Sequence, residues 1–199
     1  MACAALSVLP TFAASAAPAT STDAEPSLRV EVVREHGVFQ ISATFSVGAD
    51  IATVWAVLTD YDHLAEFVPD LEASRVVSAA GEPLRVAQRG RAGFAFVHFD
   101  IDVVLAVEAT PMESLRFQEA GGSLRRMQGE WRLVPAPAGV SVHYSAQIEP
   151  GFWVPPLIGS ALVRRDVRRQ LAALAAEMHK RHGAAAASGA APPAARPDR

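Results

Sequence analysis

The chain has 199 residues and a formal net charge of −3; half of its residues are hydrophobic and a fifth are charged. This length and composition allow one domain with a substantial core. The slight acidity, without a broad basic surface that carries aromatic residues, argues against nucleic acid as a partner. The single cysteine is Cys3, so the rest of the chain can form no disulfide and has no thiol nucleophile.

The two ends differ in composition from the middle of the chain. Residues 1–25 combine a short apolar run with small residues, which is typical of a signal peptide that lacks its basic start, or of a disordered leader. With a signal peptide the protein is periplasmic or secreted, and otherwise it is cytoplasmic. Residues 183–199 are rich in alanine and proline, which predicts a disordered tail. The folded domain is therefore predicted to span residues 28–182.

The first elements of this domain are a β-hairpin and a pair of helices. Apolar and polar residues alternate through 28–47 on both sides of a His36-Gly37 turn, which predicts the hairpin. Asp50 stands where a helix N-cap belongs. One buried helical face follows, formed by Ile51, Val54, Trp55 and Leu58. Asp60 and Asp62 are interpreted as caps between this helix and a shorter one that ends near Phe67, before Pro69.

A series of strands and one long helix complete the domain. Alternating segments cover about 71–78, 84–89, 94–108, 114–119, 124–134 and 140–149. A helix from about Pro156 to His182 follows, and it is long enough to cross the domain. Its apolar stripe consists of Val163, Val167, Leu171, Leu174 and Met178. Because such a helix needs a sheet to cover its apolar face, we expect a bent antiparallel sheet around it.

Three segments in this order resemble the START-like (SRPBCC) superfamily, and within it the polyketide cyclase/dehydrase and coenzyme-Q-binding branch. They are VWAVLTDYDHLAEFVPDLEASRVV, MQGEWRLVPA, and FWVPP followed by RRDVRRQL. The resemblance extends from about Val30 to His182. It implies an α+β helix-grip fold, in which about six to seven antiparallel strands wrap around the C-terminal helix and enclose an apolar cavity. It also implies a hydrophobic ligand such as a quinone, lipid or polyketide-like compound.

Large aromatic residues are the candidate lining of that cavity, since they combine apolar area with a few polar groups. The set comprises Trp55, Tyr61, Phe67, Trp131, Tyr144, Phe152 and Trp153. For Trp131, next to Leu133 in a strand, packing in a filled core is the commoner role. Phe152 and Trp153 lie in a proline-bounded loop, where they either tuck under the sheet or guard an entrance.

Four arginines of the last helix form a second candidate surface. Arg164, Arg165, Arg168 and Arg169 project from neighbouring ridges of the helix. They could attract an anionic membrane surface. The commoner role of such a face is to be solvated and to pair with acidic residues, which the rest of the chain supplies.

Neither a metal site nor a cofactor is predicted. His98, Asp100 and Asp102 share a strand face, but successive same-face residues are almost 7 Å apart, too far to converge on one ion. His179 and His182 at a helix end form a still poorer pair. The chain has no P-loop, dinucleotide glycine motif or CxxC pair.

Three functions stay open on the sequence. The first is binding, shielding or transport of a hydrophobic small molecule. The second is an aromatase/cyclase or dehydratase enzyme, for which Tyr61 and Tyr144 are the candidate catalytic residues. The third is a module that contacts a membrane or a protein through its outer sheet face and its arginines. The sequence does not predict the oligomeric state.

Overall fold

The structure is a computed structural model that describes residues 28–94, 97–154 and 159–189, with the side chains of 92–98 excepted. The predicted leader at 1–25, the final ten residues of the predicted tail and the two prolines of FWVPP lie outside these ranges. Among the described helices, none is long and apolar enough to cross a membrane.

Eight strands and three α-helices make up the described chain. The strands are β1 (Arg29–Glu35), β2 (Val38–Val47), β3 (Leu71–Val76), β4 (Arg85–Phe94), β5 (Val97–Thr110), β6 (Ser114–Gly122), β7 (Leu124–Ala136) and β8 (Gly139–Pro150). The helices are α1 (Ile51–Leu58), α2 (Leu64–Phe67) and α3 (Gly159–Ser188), and a 3₁₀ helix (Tyr61–His63) precedes α2. We call residues 51–67 the helix pair.

All eight strands form one antiparallel sheet in the order β1-β2-β8-β7-β6-β5-β4-β3. Helix α3 packs against β1 and β2 at one side of the sheet and also against β4 near the other side. Because both sides of the sheet reach the same helix, the sheet curls around it. The predicted α+β helix-grip architecture is therefore confirmed, although the expected six to seven strands are in fact eight.

The core lies between the concave face of the sheet and α3. On β2 the alternate residues Phe39, Ile41, Ala43, Phe45 and Val47 are all buried, as their period of two requires. From α3 the buried side chains are Leu171, Leu174 and Met178. The first half of the helical stripe, Val163 and Val167, is only partly buried, so that half of α3 faces a less filled interior.

Several predicted boundaries are wrong. Strand β4 continues to Phe94 rather than ending near residue 89, and β5 begins at Val97. Helix α3 runs six residues past the predicted end at His182, through GAAAAS, and stops before Gly189. Alanine has the highest helix propensity, so the alanine-rich composition that predicted disorder here continues the helix. Gly189, with φ of +58°, has the left-handed conformation common just after a helix.

Candidate functional site

The interior contains a cavity of about 470 Å³ between the concave sheet face, the helix pair and the first half of α3. Its volume falls within the range of about 300–1,000 Å³ usual for small-molecule sites. Its aliphatic wall includes Leu58, Leu64, Val68, Val86, Ile101, Val103, Leu105, Leu115, Met127, Ile148, Leu162, Val163 and Val167. An apolar molecule that entered would therefore meet mainly hydrocarbon.

Aromatic rings from three adjacent strands form one wall of the cavity. Trp131 on β7 pairs in register with Tyr144 on β8, and their ring centroids are 4.4 Å apart. Phe117 on β6 lies 6.3 Å from Tyr144 in a stacked arrangement. The Phe117 ring lies directly over Gly129. A Cβ atom added at Gly129 would overlap this ring and also the backbone oxygen of Ser145. Because Gly129 has no Cβ atom, the Phe117 ring can occupy this space in the aromatic wall.

Five of the seven aromatic residues predicted to line the cavity do so, namely Tyr61, Trp131, Tyr144, Phe152 and Trp153. The other two lie elsewhere. Trp55 packs partly buried against the filled core, and the ring of Phe67 lies under the guanidinium of Arg181, at 5.4 Å from its centroid. Helical periodicity indicates which side of a helix is buried, but it does not distinguish a filled core from a void.

Phe152, Trp153 and Val154, in the described part of the loop after β8, lie at the mouth of the cavity, since they line it and Trp153 is exposed. Phe152 turns inward and stacks on Phe99, with ring centroids 4.2 Å apart, whereas Trp153 is 74% exposed at the rim. Val154 is buried, and its carbonyl accepts a hydrogen bond of 3.0 Å from the Arg34 guanidinium. The two roles predicted for this loop are thus divided between neighbours: one aromatic ring is tucked in, and the next stands at the entrance.

Tyr61 lines the cavity, and its hydroxyl group is buried. Its hydroxyl is the single buried side-chain oxygen or nitrogen that lacks a hydrogen-bond partner within the described residues. Burial raises the pKa of Tyr61 to about 12, and burial likewise raises the pKa of Tyr144. Both phenols therefore stay protonated near neutral pH and remain hydrogen-bond donors.

The acidic residues on either side of Tyr61 are not helix caps, contrary to the sequence prediction. Neither the 3₁₀ helix nor α2 has a side-chain cap. The carboxylate of Asp60 lies 2.6 Å from His63 Nδ1 and accepts a 2.8 Å hydrogen bond from Arg181. The hydrogen bond with His63, and next that with Arg181, lower the pKa of Asp60. Asp62 accepts a 2.9 Å hydrogen bond from the backbone N–H of Val76 on β3.

Asp50, by contrast, is the N-cap that the sequence predicts. Its carboxylate accepts hydrogen bonds from the backbone N–H and the hydroxyl of Thr53, at 2.8 and 2.6 Å. The two histidines of α3 lie beside this cap: His182 is 3.0 Å from the Asp50 carboxylate, and His179 Nε2 is 3.3 Å from the backbone N–H of Gly48. These histidines therefore join the end of α3 to the start of α1.

A carboxyl group that the sequence analysis missed also lines the cavity. Asp166 lies within the apolar stripe of α3, between Val163 and Val167, and burial raises its pKa. Arg169 lies 3.4 Å from Asp166 and also pairs with Asp70, which reaches the cavity from the turn before β3. The sequence RRDVRR contained the signal for this position. Asp166 lies three residues after Val163 and immediately before Val167, so it lies on the same side of the helix as the apolar stripe.

The four arginines in the first half of α3, Arg164, Arg165, Arg168 and Arg169, do not act as one set. Arg169 is occupied by the two aspartates, and Arg168 donates a 3.3 Å hydrogen bond to the carbonyl of Leu28. Arg164 and Arg165 are exposed, and neither forms a hydrogen bond or ion pair with any described residue. Pairing with acidic residues thus accounts for Arg169 alone.

The two aspartates considered as metal ligands on β5 lie apart from the cavity wall. Asp100 and Asp102 pair with Arg91 and Arg89 of the neighbouring strand, at 3.4 and 2.8 Å. The side chain of His98 lies outside the described residues. These aspartates therefore serve as cross-strand ion pairs on the wet face of the sheet.

Comparison with known families identifies the family to which this fold and cavity belong. Residues 47–175 match the family described as polyketide cyclase/dehydrase and lipid transport. The chain belongs to this family. The matched segment covers the helix pair, β3 to β8 and more than half of α3. The match is to the broad family and does not single out its coenzyme-Q-binding branch. No curated protein sequence gives a significant match.

Solved structures share the fold at low sequence identity. A STAR-related lipid transfer protein from Xanthomonas axonopodis is 18% identical with a TM-score of 0.58, over 75% of this chain and 98% of that one. The Zhui aromatase/cyclase from a Streptomyces species is 17% identical with a TM-score of 0.57, over 72% and 95%. A Thermus thermophilus protein is 20% identical with a TM-score of 0.57, over 73% and 98%. At these identities the likenesses establish the START-like fold alone. The function must be argued from the site.

Proposed function

We propose that the protein binds a hydrophobic small molecule, such as a quinone, lipid or polyketide-like compound, and shields it from water. The observation that carries this proposal is the cavity of about 470 Å³ with its largely hydrocarbon wall. Apolar ligand surface that leaves water contributes about 25 cal/mol per Å². Membership of the polyketide cyclase/dehydrase and lipid transport family supports the same conclusion.

Filling the cavity with a side chain tests the proposal. We expect Val167→Phe, which directs a ring into the cavity, to weaken binding of the neutral apolar dye phenylnaphthylamine by at least about tenfold, because the ring occupies ligand volume. The matched control is Val33→Phe, at a residue 53% exposed on β1. If the dye does not bind the wild type, or binds both variants equally, the cavity is not the binding site. Native mass spectrometry of protein from its own host then reports the natural ligand.

The rim of the cavity suggests how such a ligand arrives. Trp153 is exposed at the mouth, and Arg164 and Arg165 are exposed in the part of α3 whose Val163 and Val167 line the cavity. Tryptophan favours the membrane–water interface, and each basic residue near an anionic surface contributes about 1 kcal/mol. The mouth is therefore proposed to contact an anionic membrane while the ligand is exchanged.

Co-sedimentation with phosphatidylglycerol vesicles tests this contact. We expect Trp153→Ser and the double variant Arg164→Gln/Arg165→Gln each to lower the bound fraction, the second in a salt-dependent manner. Arg116→Gln/Arg132→Gln removes the same charge from the opposite face of the sheet, where both arginines pair with Glu130. An equal loss in that control would show that only net charge matters and would refute docking through the mouth.

A polyketide cyclase or dehydratase is the second candidate function. The observation in its favour is that two phenols and the partly desolvated Asp166 line one cavity, where they could direct proton transfer to a polyketide. Turnover of a poly-β-ketone that is lost in Tyr61→Phe or Tyr144→Phe, with binding retained, would establish an enzyme. Retained turnover in both variants would exclude the tyrosines from catalysis.

A further inference from the structure

Most of the polar residues that line the cavity are gathered at one end of it. Apart from the two tyrosines, the polar lining residues are Asp70, Gln88, Arg91, Asp166 and Gln170. Asp70 lies beside β4, because its carbonyl accepts a 2.9 Å hydrogen bond from the backbone N–H of Arg91. Arg169 pairs with Asp70 and lies 3.4 Å from Asp166, so this part of α3 reaches the same strand. The aromatic wall on β6, β7 and β8 is separated from β4 by β5, which gives the cavity a polar end and an apolar end.

Helical periodicity directs Asp166 toward the cavity. Residues four positions apart lie on one ridge of a helix. One ridge of α3 consists of Leu162, Asp166 and Gln170, the neighbouring ridge consists of Val163, Val167 and Leu171, and all six residues line the cavity. Asp166 thus has a lining residue one turn before it, one turn after it and beside it, and its side chain is only 19% exposed. The carboxylate therefore belongs to the cavity wall rather than to the outer face of the helix.

The polar end offers hydrogen-bonding atoms that are both unpaired and accessible. Asp166 Oδ1 lies 3.4 Å from the Arg169 guanidinium, whereas Oδ2 bonds to no described residue. The side-chain amide of Gln170 likewise forms no hydrogen bond within the described chain, and Gln88 uses its Nε2 atom alone, at 3.4 Å from a serine of β3. These groups are open to contact, since the Tyr61 hydroxyl is the only unpaired side-chain group among the described residues that is sealed off. A molecule in the cavity can therefore reach both acceptors and a donor here.

The charges at the polar end determine which head group fits. Asp70 and Asp166 share one cation, Arg169, so two negative charges face one positive charge. The Arg91 guanidinium is occupied by two other carboxylates, at 2.8 and 3.4 Å. A ligand hydroxyl would replace part of the hydration that burial removes from Asp166, the same loss that raises the pKa of Asp166. A ligand carboxylate would be repelled, and an ammonium group would lose far more hydration than a hydroxyl on entering.

We propose that the polar end binds the hydroxyl-bearing head group of an uncharged amphipathic ligand, with Asp166 as the hydrogen-bond acceptor and Gln88 and Gln170 beside it. The apolar part of the ligand then lies along the hydrocarbon and aromatic walls. This inference rests on the proposed binding function. It narrows the ligand to molecules such as long-chain alcohols and monoacylglycerols, and it predicts that fatty acids of the same length bind less tightly.

Decanol and decanoate test the inference, since they share a chain length and differ at the head group. Competition against phenylnaphthylamine at about pH 8, where decanoate is ionised, measures both affinities. We expect Asp166→Asn to lower the decanol-to-decanoate affinity ratio at least about fivefold, because it weakens the acceptor of the hydroxyl and removes the repulsion of decanoate. The control Asp102→Asn removes the same charge from the wet face of the sheet, where Asp102 pairs with Arg89. It should leave the ratio unchanged.

A second variant covers the case in which Asp166→Asn disturbs the cavity and loses the dye. Gln170→Met removes the amide and keeps a side chain of similar length. We expect it to weaken decanol at least about twofold relative to phenylnaphthylamine, because one hydrogen bond to the head group is lost. An unchanged ratio of decanol to dye in this variant would overturn the inference.

The possible outcomes separate the two proposals. If neither phenylnaphthylamine nor decanol binds the wild type, the proposed binding function fails. If both bind, but Asp166→Asn keeps the dye and leaves the decanol-to-decanoate ratio unchanged, the function stands and the head-group site is wrong. An equal fall of the ratio in Asp102→Asn would also refute the site, since net charge alone would then explain the effect.

Discussion

Arg181, near the end of α3, donates a 2.8 Å hydrogen bond to the Asp60 carboxylate in the helix pair. The same guanidinium lies over the ring of Phe67, and its Nε donates a 2.9 Å hydrogen bond to Glu177, one turn earlier in α3. A single side chain thus joins the long helix to the helix pair at Asp60, just before Tyr61, and at Phe67, the last residue of α2. The position of the cavity wall depends on a contact between residues 121 positions apart in the sequence.

We expect Arg181→Gln to lower the free energy of unfolding by about 1–2 kcal/mol, because it removes a charge-assisted hydrogen bond and a cation–π contact from a partly buried group. Urea denaturation measures this change. The control Lys180→Gln alters a 76%-exposed neighbour that pairs with Glu177, and it should cost less than about 0.5 kcal/mol. Equal losses in the two variants would contradict a structural role for the contact with Asp60.

The ion pair between Asp60 and His63 predicts a stability that depends on pH. The hydrogen bond to Asp60 raises the pKa of His63 above 6.5, so its contribution is complete below pH 6.5 and is lost as pH rises through the folded-state pKa. The pKa of Asp60 lies below 3.8, so its contribution is present above pH 3.8 and is lost as pH falls through the folded-state value. The pair therefore stabilises the turn most between these two limits.

An NMR titration of the histidine ring protons checks this prediction. The pKa of His63 should lie above 6.5 in the wild type and move down toward that value in Asp60→Asn. Asp50→Asn removes a carboxylate that faces His182 instead, and it should leave the His63 titration unchanged. An identical His63 titration in the wild type and Asp60→Asn would refute the ion pair.

The parts of the fold that were predicted correctly are those that local patterns encode. The alternation on β2, the N-cap at Asp50 and the stripe on α3 each depend on residues within a few positions of one another. The aspartates of the helix pair show the limit of prediction from local patterns. Asp60 and Asp62 resemble caps locally, but their partners Arg181 and Val76 are brought to them only by the folded chain.

The candidate site was predicted only in part, because a local pattern does not show which buried residues face a cavity. A large aromatic residue with apolar neighbours can line a cavity or fill a core, and the pattern is the same for both. Trp131 and Trp55 are each partly buried, yet only Trp131 faces the cavity. Asp166 was overlooked because it lies among four arginines, which made its segment look like a solvated face. Its place depends on which side of α3 the sheet covers.

The extended C-terminal end of α3 predicts opposite effects for two exposed glycines. A Cβ at Gly183 meets open space, so Gly183→Ala should stabilise the local helix by up to about 1 kcal/mol. At that value, amide exchange over residues 184–188 would slow about fivefold. Gly189 has a positive φ, so Gly189→Ala should instead speed exchange in the same segment. Unchanged exchange in both variants would mean that the chain is not helical beyond His182.

The last prediction concerns the glycine beneath the aromatic wall of the cavity. Gly129→Ala should lower the free energy of unfolding by about 2–4 kcal/mol, since the added methyl group overlaps a backbone oxygen of β8 and the ring of Phe117. The backbone cannot retreat within the paired strands, so the ring must shift toward the cavity. We therefore also expect binding of phenylnaphthylamine to weaken.

Thermal unfolding and dye titration measure the two effects of Gly129→Ala together. The same substitution at Gly183, where a Cβ meets no atom within 4 Å, controls for the change of residue type and should weaken neither stability nor binding. A stable Gly129→Ala protein with full dye affinity would mean that the strands have room at this position. Phe117 would then not be held against the cavity by Gly129, and the aromatic wall would owe its position to the pairing of Trp131 with Tyr144 alone.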